Sequence, residues 1–382
     1  MINRPSYIDN LSKAIRRSPV TALLGPRQCG KTTLARMFGK NRDTVYFDLE
    51  SQPDKMRLQN PELALGGLKG TVILDEMQNN PELFNVLRVL ADRPGNRTRF
   101  LILGSASPDL MKKASETLAG RVEFVELTGF TLSEINAKDQ QKLWLRGGFP
   151  RSFLAQSNTD SLAWLEGFIR TFLERDIPQL GISIPSVAMR RFWTMLAHYH
   201  GQIWNASELG RAMGLSDKTM RAYLDILTGT FMIRQLMPWH ENLGKRQVKA
   251  PKIYFRDSGI LHQLLSLNDF HALSGHPRVG ASWEGFALEQ TLNIIGVSQV
   301  YFWSTYSGAE LDLFFLYKGK RYGVEFKYSE APVVTKSMRS AMETLNLHHL
   351  WIVYPGKTEY PVHKKITVYP LKNIPGLINL IK

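Results

Sequence analysis

Residues 25–32 read Gly25-Pro26-Arg27-Gln28-Cys29-Gly30-Lys31-Thr32, and Thr33 follows. Two glycines bracket four variable residues just ahead of a lysine and a threonine. Glycine adopts the left-handed conformations that let successive backbone amides turn inward around phosphate oxygens. In such a loop Lys31 neutralises the β- and γ-phosphates of a nucleotide, and the Thr32 hydroxyl serves a Mg²⁺ ion. The flanks agree with this reading. The apolar run 19–24 (PVTALL) has the look of a buried parallel strand entering the loop. Lys31 to Gly39 reads as a helix with Leu34, Met37 and Phe38 on one side, and its N-terminus adds an attraction for anions.

Further along, residues 71–76 (TVILDE) form an apolar strand ending in two acids. Asp75 suits a Mg²⁺-water ligand, and Glu76 suits polarisation of the attacking water. Residues 99–105 (RFLILGS) are another buried strand, ending on Ser105 where a γ-phosphate would be felt. Strands at 44–49 (TVYFDL) and 121–127 (RVEFVEL) complete five, with helical stretches between them. That alternation predicts an α/β fold, a parallel sheet with helices on both faces.

These residues resemble the AAA+ superfamily, with GPRQCGKTT as Walker A, ILDE as Walker B and Ser105 as sensor 1. The resemblance implies ATP and Mg²⁺ as cofactors and a strand order of 5-1-4-3-2. It also implies a helical lid after the fifth strand, and residues 131–180 fit one through the apolar spacing of SLAWLEGFIRTFLERDI. Superfamily members place arginines near the γ-phosphate. Arg121, in LAGRVEF, is the candidate trans-acting finger, and Arg151, in GGFPR, the candidate sensor 2. Either also reads as an ordinary surface arginine. Cys29 occupies a variable loop position, which favours a tolerated small residue. Its place near a helix N-terminus nevertheless predicts a lowered thiol pKa, and alkylation that blocks nucleotide binding.

The bulk composition sets limits. A chain of 382 residues is expected to form two or three domains, and 43% hydrophobic with 21% charged residues is ordinary for a soluble globular protein. No apolar run approaches the roughly 20 residues of a membrane-spanning helix, and MINRPSYIDNLSKAIRRS lacks a secretory signal's apolar stretch. One cysteine excludes an internal disulfide and a cysteine-based zinc site, so the expected location is a reducing cytoplasm. The net charge of +14 favours a polyanionic partner. Residues 183–262 are the most basic stretch, with 11 Lys and Arg against 5 Asp and Glu.

In that stretch, 187–200 reads as a helix, followed by one from Ala206 to Met213 opened by Asn205. The turn Gly214-Leu215-Ser216 leads into a third helix, Asp217–Leu227, which Ser216 can cap. Two strand-like runs follow, 231–237 (FMIRQLM) and 252–255 (KIYF), and their connection carries His240, Lys245, Arg246, Lys249 and Lys252. The outline resembles a winged helix, with Lys218 and Arg221 at a DNA groove and Lys245, Arg246 and Lys249 on the wing. A winged helix that docks protein instead is the alternative.

Residues 309–328 (AELDLFFLYKGKRYGVEFKY) read as two strands joined by a Lys-Gly-Lys turn. Period-two alternation puts Glu325 and Lys327 on one face, with Asp312 across the hairpin. Trp283-Glu284-Gly285-Phe286 starts a helix that brings Glu284 towards these acids. Carboxylates beside one lysine form a candidate Mg²⁺ site, with Asp312 and Glu325 as ligands. The arrangement resembles the PD-(D/E)xK nuclease superfamily, although the proline before Asp312 is missing. That fold implies a helix near 281–294, strands near 299–304, 311–317 and 322–327, a helix near 334–346 and a strand at 349–354. A cross-strand Glu–Lys pair on a plain sheet face is the simpler alternative.

The three signatures in this order resemble a large group of prokaryotic ATPases that join an AAA+ module to a winged helix and a nuclease-like C-terminal domain. FDLE (47–50), LDEMQ (74–78), LAGR (118–121), GGFP (147–150), FLERDI (172–177) and YFRDSG (254–259) fit the group's pattern. The expected boundaries are 1–130 for the ATPase core, 131–182 for the lid, 183–262 for the winged helix and 263–382 for an α/β restriction-endonuclease-like domain. The first functional expectation is an ATPase acting on DNA, with ATP gating the nuclease-like domain and possible self-assembly. The second is a nucleotide-switched regulatory or signalling protein whose C-terminal domain binds nucleic acid or protein without cutting.

Overall fold

The computed structural model describes residues 2–95, 97–105, 108–240 and 249–381; the side chains of Ser105 and of residues 108–110 lie outside that description. The chain divides into two compact units, Met1–Gly129 with Gly229–Phe231, and Phe130–Thr228 with Met232–Lys382. No helix among the described residues is long and apolar enough to cross a membrane.

The first unit is built on five parallel strands: β1 (Val20–Gly25), β2 (Thr44–Asp48), β3 (Thr71–Asp75), β4 (Arg99–Ser105) and β5 (Val122–Glu126). Their order across the sheet is β2-β3-β4-β1-β5, the expected order read from the other edge. Because β1 lies between β4 and β5, every one of its residues is buried, which is why PVTALL reads as an apolar run broken only by Thr21. Val20, Leu24, Leu74, Phe84, Phe100 and Ile102 share one core. Each such side chain removed from water contributes about 1.5–3 kcal/mol. This packing fixes the C-terminal ends of β1 and β3, the edge at which α/β sheets bind ligands.

The second unit begins with helices, among them Gln140–Arg146 and Asn158–Thr171; the latter opens with a capping box between Ser157 and Asp160. Helices Ser186–His198, Ala206–Met213 and Asp217–Gly229 follow. Asn205 accepts from the Glu208 N–H at 3.2 Å, and Ser216 from the Thr219 N–H at 3.1 Å, so both expected caps form. Strands β6 (Gln202–Ile203), β7 (Ile233–Leu236) and β8 (Lys252–Phe255) make a small antiparallel sheet in the order β6-β8-β7.

A long helix, Val279–Ile295, leads into β9 (Val300–Ser304), β10 (Glu310–Tyr317) and β11 (Lys320–Phe326). Lys318 and Gly319, with φ of 48° and 76°, turn β10 into β11 as a hairpin. Helix Lys336–Thr344, β12 (His349–Tyr354), β13 (Tyr360–His363) and β14 (Ile366–Pro370) complete a sheet ordered β13-β14-β12-β11-β10-β9. Trp303, Phe314, Met338 and Ile352 lie in its core. The chain just after β7 runs beside β9: the Trp239 N–H donates to Phe302 O at 2.7 Å, and the Phe302 N–H to Met237 O at 3.0 Å. The small sheet is thereby tied to the edge of the larger one, and β8 comes with it.

Candidate functional site

The loop after β1 curves as its glycines predict. Gln28 and Gly30 have φ of 62° and 100°, so the backbone turns through the left-handed region twice. A side chain at Gly25 would overlap the carbonyl oxygen of Leu127, so the loop lies directly against the end of β5. The Lys31 ammonium is buried and donates to the carbonyls of Gly25 and Pro26, at 2.9 Å each. Its charge is held inside the curve of the loop, where an anionic phosphate would meet it. Helix Lys31–Gly39 starts at this point, with its free N–H groups and positive dipole end facing the same place.

At the end of β3, Thr32 Oγ1 donates to Asp75 Oδ2 at 2.7 Å, and the Glu76 N–H donates to Asp75 Oδ1 at 2.9 Å. The Tyr46 hydroxyl also donates to Asp75 Oδ2. A hydroxyl and a carboxylate this close are hard oxygen donors of the kind Mg²⁺ takes, so the residues fit that ion. Glu76 sits at φ 56°, a left-handed position that non-glycine residues rarely hold. Its carboxylate accepts from Gln78 Nε2. Burial raises its pKa, the Gln78 hydrogen bond opposes that, and the Asp75 charge raises it further. A carboxylate poised in this way beside Asp75 suits a group that orients water.

The remaining sequence candidates fall as follows. Cys29 is fully buried, and burial raises its thiol pKa against the pull of Lys31 and Arg4. The expectation of a lowered pKa is therefore corrected: the helix N-terminus is there, but loss of hydration outweighs it. The backbone of Ser105 ends β4 opposite Gly25, while its side chain lies outside the described residues. Arg121 makes a two-pronged ion pair with Asp92, at 2.7 and 2.9 Å, at the surface. Arg151 is exposed in the short helix Pro150–Phe153. Lys218, Arg221 and Lys249 are exposed, and Lys245 and Arg246 lie outside the described residues.

Two residues of the loop's surroundings went unread. Arg4 is buried and donates to the carbonyls of Cys29, Thr128 and Gly129 at 3.3, 3.2 and 2.9 Å, tying the N-terminal segment to the loop and to the end of β5. Tyr46 donates to Asp75 Oδ2, the same oxygen that Thr32 meets. An arginine placed before a helix-opening proline, and a tyrosine one residue from the Phe47 core position, were the available signals.

In the second unit the hairpin brings its acids together. The Phe326 N–H donates to Asp312 Oδ2 at 2.9 Å, and Lys327 Nζ lies 2.7 Å from Glu325 Oε1. Glu284, on helix Val279–Ile295, accepts from the Tyr254 hydroxyl at 2.5 Å. Burial, and then the nearby Asp312 charge, push Glu325 up to about 8. Burial and then Glu284 raise Asp312, and the ammonium groups of Lys252 and Lys327 pull it back.

Lys252, read only as one of the basic residues in the connection between the two strand-like runs, is buried among these acids. Only 3% of its side chain is accessible, and Nζ lies 3.3 Å from Glu284 Oε1 and 3.5 Å from Asp312 Oδ1, with Glu310 also paired. Position 252 begins a strand whose four residues are all buried. Burial works against its charge, yet Glu284, Tyr254, Asp312 and Glu310 hold its pKa well above the ordinary lysine value. Two further cations, Arg234 on β7 and Arg256 just after β8, meet the buried Glu289. Among the described residues no group of three His, Cys, Asp or Glu is arranged to hold a metal ion.

Residues 17–136 match a family described as an AAA domain. Residues 137–271 and 279–374 match two domains of unknown function, DUF8612 and DUF4143. Over 374 residues the chain is 51% identical to the uncharacterized protein Rv2008c of Mycobacterium tuberculosis, covering 98% of this chain and 85% of that one. The uncharacterized protein Mb2031c of Mycobacterium bovis matches to the same extent. Among solved structures, the Walker-type ATPase PABY2304 of Pyrococcus abyssi is 14% identical with a TM-score of 0.51, over 69% of this chain and 96% of that one. At that identity the likeness concerns the fold.

Proposed function

Since the chain belongs to the family of the mycobacterial proteins Rv2008c and Mb2031c and carries an AAA-type ATPase domain at 17–136, we propose that it is a Mg²⁺-dependent, nucleotide-switched protein that acts on DNA. The observation that carries the reading is the Thr32–Asp75 hydrogen bond of 2.7 Å beside the buried Lys31. Residues 25–33 cradle the phosphates, and Lys31 offsets their charge. Thr32 and Asp75 would hold Mg²⁺, which supplies further neutralisation of charge on the leaving phosphate. Glu76 orients the attacking water, and Ser105 senses the γ-phosphate. Arg121, on release from Asp92, and Arg151 are the arginines assigned to the γ-phosphate, the former across a subunit boundary.

The DNA surface is assigned to Lys218, Arg221, Lys245, Arg246 and Lys249 of a winged helix spanning 183–262. The high positive charge of this segment supports it. For the C-terminal module there are two readings. Convergence of Asp312, Glu325 and Lys327 favours a gated nuclease, with Glu284 as the fourth group. The Lys252 ammonium among the same acids favours a module that binds without cutting. One assay separates them: ATP turnover and DNA integrity, with and without DNA and Mg²⁺, for wild type, Lys31→Ala and Glu325→Ala. Turnover lost in Lys31→Ala supports the ATPase. Metal-dependent cleavage lost in Glu325→Ala supports the nuclease, and intact DNA with nucleotide-dependent binding supports the switch.

A further inference from the structure

The nuclease-like pattern implies a divalent cation held between Asp312 and Glu325, and the residues that surround Asp312 do not fit one. We propose that the Lys252 ammonium is the resident cation of this carboxylate cluster, and that the cluster takes no divalent metal ion. The geometry is specific. Lys252 Nζ lies within 3.5 Å of oxygens from Glu284 and Asp312 and pairs with Glu310 as well. Three carboxylates thus surround one ammonium. The other Asp312 oxygen is engaged by the Phe326 N–H.

Mg²⁺ requires oxygen ligands at about 2.0–2.1 Å in a near-octahedral shell. Those oxygens here face an ammonium that cannot leave by rotating a surface side chain. Lys252 begins β8, whose backbone pairs with both β6 and β7, and all four residues of that strand are buried. A dication entering the cluster would also meet the repulsion of this fixed positive charge at short range and low dielectric.

The remaining acid has an ammonium of its own. Lys327 offsets Glu325 at 2.7 Å. Glu325 Oε2 is buried and meets no hydrogen-bond partner among the described residues. Lys252 also has a positional effect. It pins β8 of the small sheet to helix Val279–Ile295 and to β10, alongside the Arg234–Glu289 pair. The acids that resemble a cutting centre become the socket of an internal latch. This inference concerns the cluster alone and does not depend on ATP turnover or DNA binding.

The test is Mn²⁺ binding to nucleotide-free full-length protein, followed by electron paramagnetic resonance. Wild type and Asp312→Asn are expected to give the same isotherm, since any Mn²⁺ at Thr32 and Asp75 is common to both. Lys252→Met should gain one site, at least about tenfold tighter than any in wild type, because the fixed charge is gone. That site should vanish in Lys252→Met/Asp312→Asn. Lys252→Arg, which keeps the charge, should gain none. A wild-type site that Asp312→Asn abolishes overturns the proposal. So does a Lys252→Met protein that folds, by circular dichroism, and gains no site. If Lys252→Met does not fold, the wild-type and Asp312→Asn isotherms still decide.

Discussion

Asp257 and Gly148, 109 residues apart, are joined by a hydrogen bond of 2.8 Å from the Gly148 N–H to Asp257 Oδ2. The same carboxylate caps the next helix, accepting from the Ile260 N–H at 3.0 Å. Gly147 packs so closely on it that a Cβ there would overlap the carboxylate, and its φ of 74° with ψ of −179° is a region only glycine enters readily. Two of the sequence signatures, GGFP and YFRDSG, are thus halves of one joint inside the second unit.

Gly147→Ala is therefore expected to destabilise that unit by about 3 kcal/mol or more, from steric overlap and backbone strain together. Asp257→Ala strands two buried N–H groups, at about 1–3 kcal/mol each. Urea unfolding followed by tryptophan fluorescence checks both, and a loss under about 0.5 kcal/mol for either contradicts the joint.

At the ATPase site two variants distinguish the roles proposed for Lys31 and Glu76. Glu76→Gln keeps the side chain's size and its contact with Gln78 while removing the charge proposed to orient water. It is expected to retain ATP affinity and lose about 10²–10⁴-fold in turnover. Lys31→Ala should lose the affinity itself, because it removes the ammonium held at 2.9 Å from the loop carbonyls. Equilibrium binding of a fluorescent ATP analogue, set beside phosphate release, distinguishes these outcomes. A Glu76→Gln protein with normal turnover removes Glu76 from its role.

Much of this arrangement was legible because the deciding signals are local. Strand, loop and helix around residues 25–32 are contiguous, and the Asp75-Glu76 pair sits at the end of an apolar run whose burial the run itself announces. The β10–β11 hairpin was legible for the same reason, since alternation fixes which side chains share a face. Lys252 was not. It stands 60 residues before Asp312, at the edge of a basic stretch, and nothing local separates a lysine that enters an acidic socket from one on a wing. Arg4 and the Asp257–Gly148 joint are hidden likewise, being contacts between segments remote in sequence. The β13–β14 pair escaped because Pro361 and the lysines at 364 and 365 mask its alternation.

Cys29 yields a prediction opposite to the one its position invites. The thiol of this loop residue is fully buried, and burial raises its pKa, so little thiolate is present or reachable at neutral pH. Native protein should react slowly with a maleimide, at a rate ATP leaves unchanged, and label completely in urea. Rapid native labelling that ATP suppresses would restore the reading of an exposed, activated thiol.

The carboxyl of Glu325 links the acidic cluster to pH. Its pKa is pushed from the ordinary 4.5 up to about 8, first by burial and then by Asp312, with Glu284 adding and Lys327 opposing. Between those two values the folded protein holds a proton that the unfolded chain releases. The resulting stabilisation is complete below about pH 4.5 and is lost as pH rises through about 8. Asp257, pushed up to about 6, titrates in the lower part of the same window. The slope from about pH 6.5 to 9 therefore belongs chiefly to Glu325 together with Asp312, whose carboxyl is also raised. Urea midpoints of the wild type should fall across that range, and Glu325→Gln, which carries no titrating proton, should flatten the fall. A variant whose midpoints decline in parallel with the wild type places the titration elsewhere.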